Sequence, residues 1–165
     1  MKYYKLQNPG IDQTPFLDSK CDWFGKMYSE ETGGQILIVS SGRRNAASQA
    51  KAMFENYKNE VTKNAAPISY RLKQAEQEIR ESFMNGFKTL KKPDAEIIKD
   101  MTAVINSQIQ REILISNHLP TKNNADGTAN DFSLQNDYAV MDAICKEYGI
   151  YIIKEPKCIH ITWPA

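Results

Sequence analysis

The fold of this chain is constrained most strongly by short apolar runs that are typical of β-strands. Longer stretches with helical periodicity lie between several of these runs. Each run holds four to six residues, contains large apolar side chains and is flanked by turn-forming residues. The runs are Gln35–Ser40, Glu112–Ser116, Asp131–Leu134, Ile150–Ile153 and Cys158–Ile161. The last two flank a short turn and predict a hairpin. The sequence therefore predicts an α+β fold with a small antiparallel sheet packed against helices.

Helices are predicted in the stretches between these runs. A short helix is expected over Ser19–Ser29, another directly after the N-cap Asn45, and a third over Asn136–Tyr148, which Gly149 ends. Residues 66–110 predict two more helices, with apolar stripes at Leu72, Ala75, Ile79, Phe83, Phe87 and Leu90, and at Ile97, Met101, Val104 and Ile105. This helical hairpin is interpreted as an insertion. It could wall a cleft, contact a protein partner or pack on the core.

Length and composition favour one ordinary domain over residues 1–165. With 165 residues, of which 41% are hydrophobic and 25% charged, the chain can bury a core. The formal net charge of +1 gives no reason to expect nucleic acid or an anionic membrane as a partner. No run is long enough for a membrane span, and the N-terminus lacks the apolar segment of a secretory signal. The 3 cysteines are expected to be free thiols.

The 2 histidines and one aspartate next to strand-like runs are the candidate metal ligands. His118 and Asp131 are 13 residues apart, and His160 follows 29 residues later, so the fold would have to assemble the site. Two imidazoles and a carboxylate can hold zinc with the fourth position open, as in catalytic sites. Histidines are also often ordinary half-buried polar residues, and that alternative stays open here.

Three motifs in this order resemble those of the D-alanyl-D-alanine metallopeptidase family. They are Ser41-Gly42-Arg43-Arg44 with Gln49, then Ser116-x-His118 with Gly127-x-Ala129-x-Asp131, and finally His160-Ile161-Thr162-Trp163. That family contains bacterial wall carboxypeptidases and phage endolysins, and its fold is related to lysostaphin-type enzymes and the hedgehog domain. The resemblance implies a zinc peptidase that hydrolyses the peptides of peptidoglycan.

The resemblance also implies roles for individual residues. His118, Asp131 and His160 would bind Zn²⁺. Arg44 would hold the carboxylate of the substrate peptide, since a guanidinium at a strand-to-helix turn can grip it with two hydrogen bonds. Two further residues complete the implied substrate site: Gln49 would support it, and Ser116 would hydrogen-bond the substrate or the oxyanion.

The chain departs from the family pattern at two places. The family has a couple of residues between the histidine and the glycine, whereas Leu119–Asp126 intervene here and could form an excluded loop or reshape the substrate groove. Three positions before the last histidine, where an acid is expected as general base, this chain has Lys157. The nearest carboxylate is Glu155, which we expect to be the base.

Two alternatives follow from these departures. A non-catalytic module of the same fold could bind wall peptides or use zinc for stability alone. The other alternative is an interaction protein organised by the helical hairpin. In that case neither histidine would have a role in function. For the peptidase, synthesis in the cytoplasm and action on the cell wall after release or export are expected, as for a phage lysin or an exported effector.

Overall fold

The computed structural model describes residues 1–70, 72–121 and 125–165. These described residues form five α-helices and a five-stranded sheet, which confirms the α+β fold. The chain forms two compact units. One consists of Met1–Arg43 and Asn124–Ala165, and the other of Arg44–Asn123. The expectation of one domain over residues 1–165 stays a prediction.

The first unit contains the sheet. Its strands are β1 (Tyr4–Leu6), β2 (Leu37–Ser41), β3 (Ala129–Phe132), β4 (Tyr151–Lys154) and β5 (Ile159–Thr162), in the spatial order β1-β2-β3-β5-β4. Three of the four neighbouring pairs are antiparallel, but β1 and β2 are parallel. The predicted antiparallel arrangement therefore holds for three pairs, and the edge pair β1–β2 departs from it. A helix joins β1 to β2, which is the connection that a parallel pair needs.

Two helices pack on one face of this sheet. Helix α1 (Pro15–Glu31) begins where the Thr14 hydroxyl accepts the N–H of Leu17, and Pro15 occupies the first helical position. Helix α5 (Tyr138–Tyr148) ends at Gly149, whose φ of 64° is left-handed. The sequence predicted α5 almost to its bounds, whereas α1 is six residues longer than expected. The buried core of this unit includes Leu17, Phe24, Leu37, Val39, Phe132, Ile159, Ile161 and Trp163.

The second unit is helical. It contains α2 (Ala46–Lys63), α3 (Lys73–Met84), a π-helical turn (Asn85–Thr89) and α4 (Asp94–Gln110). The side chain of Asn45 caps α2 by accepting the N–H of Ser48, as predicted. Three residues of each predicted stripe are buried: Ala75, Ile79 and Phe83 in the first, and Ile97, Met101 and Ile105 in the second. The stripe ends Leu72 and Leu90 are exposed, because they lie beyond the helix ends.

The predicted strand Glu112–Ser116 is wrong. Helix α4 ends in a turn in which Glu112 has a φ of 60°, and the N–H of Ile113 bonds back to the carbonyl of Gln108 at 2.8 Å. The apolar side chains that follow are drawn into the helical core, where Ile115 is buried. A run with strand composition therefore forms an irregular segment, because helices rather than a neighbouring strand cover it.

Within the described ranges, every helix is too short or too polar to cross a lipid bilayer.

Candidate metal centre

Strand pairing in the first unit brings Asp131 and His160 together. In the antiparallel pair β3–β5 these residues lie directly opposite each other, so their side chains leave the same face of the sheet. His160 Nδ1 lies 2.9 Å from Asp131 Oδ1. Their side chains are 15% and 8% exposed, so water screens this contact weakly.

An irregularity in β2 lies beside this pair. Val39 pairs with Phe132 and Ser41 pairs with Asp131, so two steps along β2 oppose one step along β3. Such a bulge twists the strand locally and changes the direction of its side chains. It is followed at once by Gly42, where a Cβ atom would lie 2.2 Å from the carbonyl oxygen of Asp12. Glycine is required there because the backbones approach so closely.

His118 lies in a turn of the second unit, and its backbone is held on two sides. Its N–H donates to the hydroxyl of Ser116 at 3.3 Å, and its carbonyl accepts the N–H of Arg44 at 2.8 Å. The neighbouring Leu119 is buried in the helical core, and His118 itself is 2% exposed. Ser116 thus shapes the loop that presents His118, in addition to the substrate role predicted for it.

Arg44 and Gln49 interact with each other at the start of α2. The Nη1 atom of Arg44 donates to Gln49 Oε1 at 3.4 Å, and Gln49 is buried. The adjacent Arg43 has a different use: its guanidinium binds Asp12 at 2.7 Å and the carbonyl of Ala125 at 3.0 Å. Gln49 thus contacts Arg44 directly, and the substrate-site roles that the resemblance implies for both residues stay predictions.

The three predicted ligands are divided between the two units. Asp131 and His160 are paired in the first unit, and His118 is buried in the second. Two imidazoles and a carboxylate are donors that zinc accepts, so the chemistry of these three side chains fits a divalent cation.

Glu155 lies in the hairpin turn, directly after β4 ends at Lys154. Ile153 pairs with His160, and Glu155 is two residues beyond Ile153, about 7 Å along the strand direction. Its backbone N–H donates to the carbonyl of Cys158 at 2.8 Å, and its carboxylate lies 3.4 Å from the Cys158 thiol. Lys157 is exposed in the turn. The general-base role of Glu155 remains a prediction.

Sequence reasoning missed two polar residues that organise the region. Asn130 is fully buried on the opposite sheet face, and Thr162 lies 3.1 Å from His160 Nε2. The period-two alternation around Asp131 and His160 could have indicated both, since it places Thr162 beside His160 and turns Asn130 toward the core. The loop 119–126 cannot be compared with expectation throughout, because residues 122–124 lie outside the described ranges.

Comparison of the chain with models of protein families, with curated proteins and with solved structures found no match. The three sequence motifs and the contact between Asp131 and His160 are therefore the basis for any functional proposal.

Proposed function

We propose that this protein is a zinc-dependent peptidase that hydrolyses peptide bonds in the stem peptides or cross-links of peptidoglycan. The observation that carries the proposal is the contact between His160 and Asp131, to which the motif resemblance adds the buried His118 as the third ligand. Two imidazoles and one carboxylate are the ligand set of many catalytic zinc sites. The choice of peptidoglycan as substrate rests on the motif resemblance, and it places the site of action at the cell wall after release or export.

Each residue has a defined task in this proposal. When bound, zinc would act as a Lewis acid on the scissile carbonyl and make water a stronger nucleophile near neutral pH. Glu155 accepts the proton of the attacking water and returns it to the leaving amine. Arg44, supported by Gln49, binds the carboxylate of the substrate peptide. Ser116 holds the turn before His118 and donates its hydroxyl to the substrate.

Metal analysis and digestion of purified muropeptides test this proposal together. We expect one zinc ion per chain, and we expect mass spectrometry to detect peptide-bond cleavage that stops after chelation and returns with zinc. The variants His118→Ala and Asp131→Asn should lose both zinc and at least about a hundredfold in activity. Glu147→Gln, which changes an exposed carboxylate of α5, is the control and should behave as wild type. Full activity after exhaustive chelation would refute the proposal.

The general base can be tested separately from the metal. Glu155→Gln removes the proton acceptor but changes no proposed ligand, so kcat should fall by about 10²–10⁴ while zinc content stays at one per chain. Unchanged kcat would assign the proton transfer to another group.

A non-catalytic module is the second candidate, and the lysine at position 157 favours it. In that case zinc would stabilise the fold, and wall peptides would bind without cleavage. Glu155→Ala would leave wall binding unchanged, whereas chelation would lower the melting temperature, because a ligand that binds the folded state alone stabilises it. Cleavage of muropeptides by the wild type decides against this candidate.

A further inference from the structure

Both ring nitrogens of His160 have side-chain partners on the sheet. Nδ1 lies 2.9 Å from Asp131 Oδ1, and Nε2 lies 3.1 Å from Thr162 Oγ1. His160 and Thr162 are two residues apart on β5, so their side chains leave the same face. A hydroxyl can donate or accept a hydrogen bond, whereas a carboxylate accepts only.

With a metal bound, the two contacts of the His160 ring would have different roles. The 2.9 Å separation of Nδ1 and Asp131 Oδ1 is close to the spacing of about 3.4 Å expected for two ligands of one zinc ion. A neutral imidazole that coordinates through Nδ1 carries its proton on Nε2. That N–H would then donate to Thr162 Oγ1. Histidines that bind metals usually have such an outer partner, which fixes the tautomer and the ring orientation.

We propose that Thr162 is a positioning residue that holds His160 with Nδ1 directed at the metal and Nε2 protonated. The inference rests on the proposed zinc site and goes beyond it by assigning the coordinating nitrogen. Thr162 is well suited to this role, because pairing with Ala129 on one side and Tyr151 on the other fixes its backbone. Its branched Cβ also restricts χ1, which keeps the hydroxyl in place.

Zinc affinity measured by competition with a chromophoric chelator tests the hydroxyl. Thr162→Val keeps the branched shape and removes the hydroxyl, and we expect zinc to bind about tenfold or more weakly. Thr162→Ser keeps the hydroxyl and should rescue most of the affinity. The melting temperatures of both metal-free variants should match that of the wild type, which separates positioning from folding.

The outcomes distinguish this inference from the function on which it rests. Wild-type affinity in Thr162→Val overturns the positioning role and leaves the zinc site intact. A wild-type protein that takes up no zinc overturns both. Loss of affinity in Thr162→Ser equal to that in Thr162→Val also contradicts the inference, since the hydroxyl would then be irrelevant.

Nitrogen NMR gives an independent readout of the tautomer. With 2 histidines in the chain, the spectrum contains only four imidazole nitrogens. In the zinc-loaded protein, two-bond proton–nitrogen correlations should show the His160 proton on Nε2 and a metal-shifted Nδ1. A proton on Nδ1 with coordination through Nε2 would overturn the assignment.

Discussion

The amide of Asn130 connects several parts of the first unit. Its oxygen accepts the indole N–H of Trp163 at 2.8 Å and the thiol of Cys21 at 3.3 Å. Its nitrogen donates to Gln13 Oε1 at 2.9 Å and to the carbonyl of Ser41 at 3.0 Å. A fully buried amide with this many partners stabilises the folded state only as long as all of its hydrogen bonds are present.

We expect Asn130→Leu to lower the free energy of unfolding by about 3 kcal/mol, because it leaves buried polar partners without a hydrogen bond. Urea unfolding followed by circular dichroism measures this. Cys21→Ser is the matched control, since it keeps a donor toward the same amide oxygen and should cost less than about 1 kcal/mol. Equal losses in the two variants would contradict the account.

The carboxylate of Asp18 makes the free energy of unfolding decrease at acid pH. Hydrogen bonds from Lys2 and then from Tyr4 hold the pKa of Asp18 below its ordinary value. A carboxylate whose pKa is lower in the folded than in the unfolded state stabilises the folded protein at pH values above the unfolded-state pKa. That contribution is lost as the pH falls through the folded-state pKa.

Asp18→Asn should therefore cost about 0.5 kcal/mol at pH 7, a small value because the side chain is 36% exposed. The difference from wild type should shrink below about pH 4. Urea unfolding at several pH values measures the difference in free energy of unfolding between the two proteins. A difference that grows toward acid pH would contradict the expected stabilising role of the Asp18 carboxylate.

At the scale of elements, the π-helical turn itself lies close to α4. A Cβ atom at Gly86 would lie 2.9 Å from Cγ1 of Ile97, which is itself fully buried. Gly86→Ala should thus destabilise by about 1–2 kcal/mol through overpacking, even though alanine favours helix.

A double-mutant cycle with Ile97→Ala checks this explanation. Because the second change removes the atoms that the new methyl group would meet, the double variant should lose about 1 kcal/mol less than the sum of the two single variants. Strictly additive losses in chemical denaturation would show that the contact is not the cause.

Elements differed in how well the sequence predicted them. Helices α2 and α5 were predictable, because caps at Asn45 and Gly149 reinforce their apolar stripes. Strand β1 was missed, since its three residues carry too little pattern. The run Glu112–Ser116 has strand composition but pairs with none of the described strands, and strand formation depends on such a neighbour.

At the scale of the whole molecule, the two units differ in how the chain builds them. Residues 44–123 are continuous and have their own core, whereas the first unit needs two distant segments. We expect a fragment of residues 44–123 to give a helical circular dichroism spectrum and a cooperative thermal transition. A fragment of residues 124–165 is the control and should stay unfolded, because it lacks β2 and α1. A non-cooperative melt of the first fragment would contradict this.

The sequence by itself determined the fold class, most helices and the three candidate ligands. Periodicity, caps and residue chemistry are local properties, and a chain displays them without being folded. Tertiary structure decided the parallel edge of the sheet, the irregular path of residues 112–116 and the partners of Asn130 and Thr162. Those features depend on register and on which surfaces cover one another, and neither is encoded at a single position along the chain.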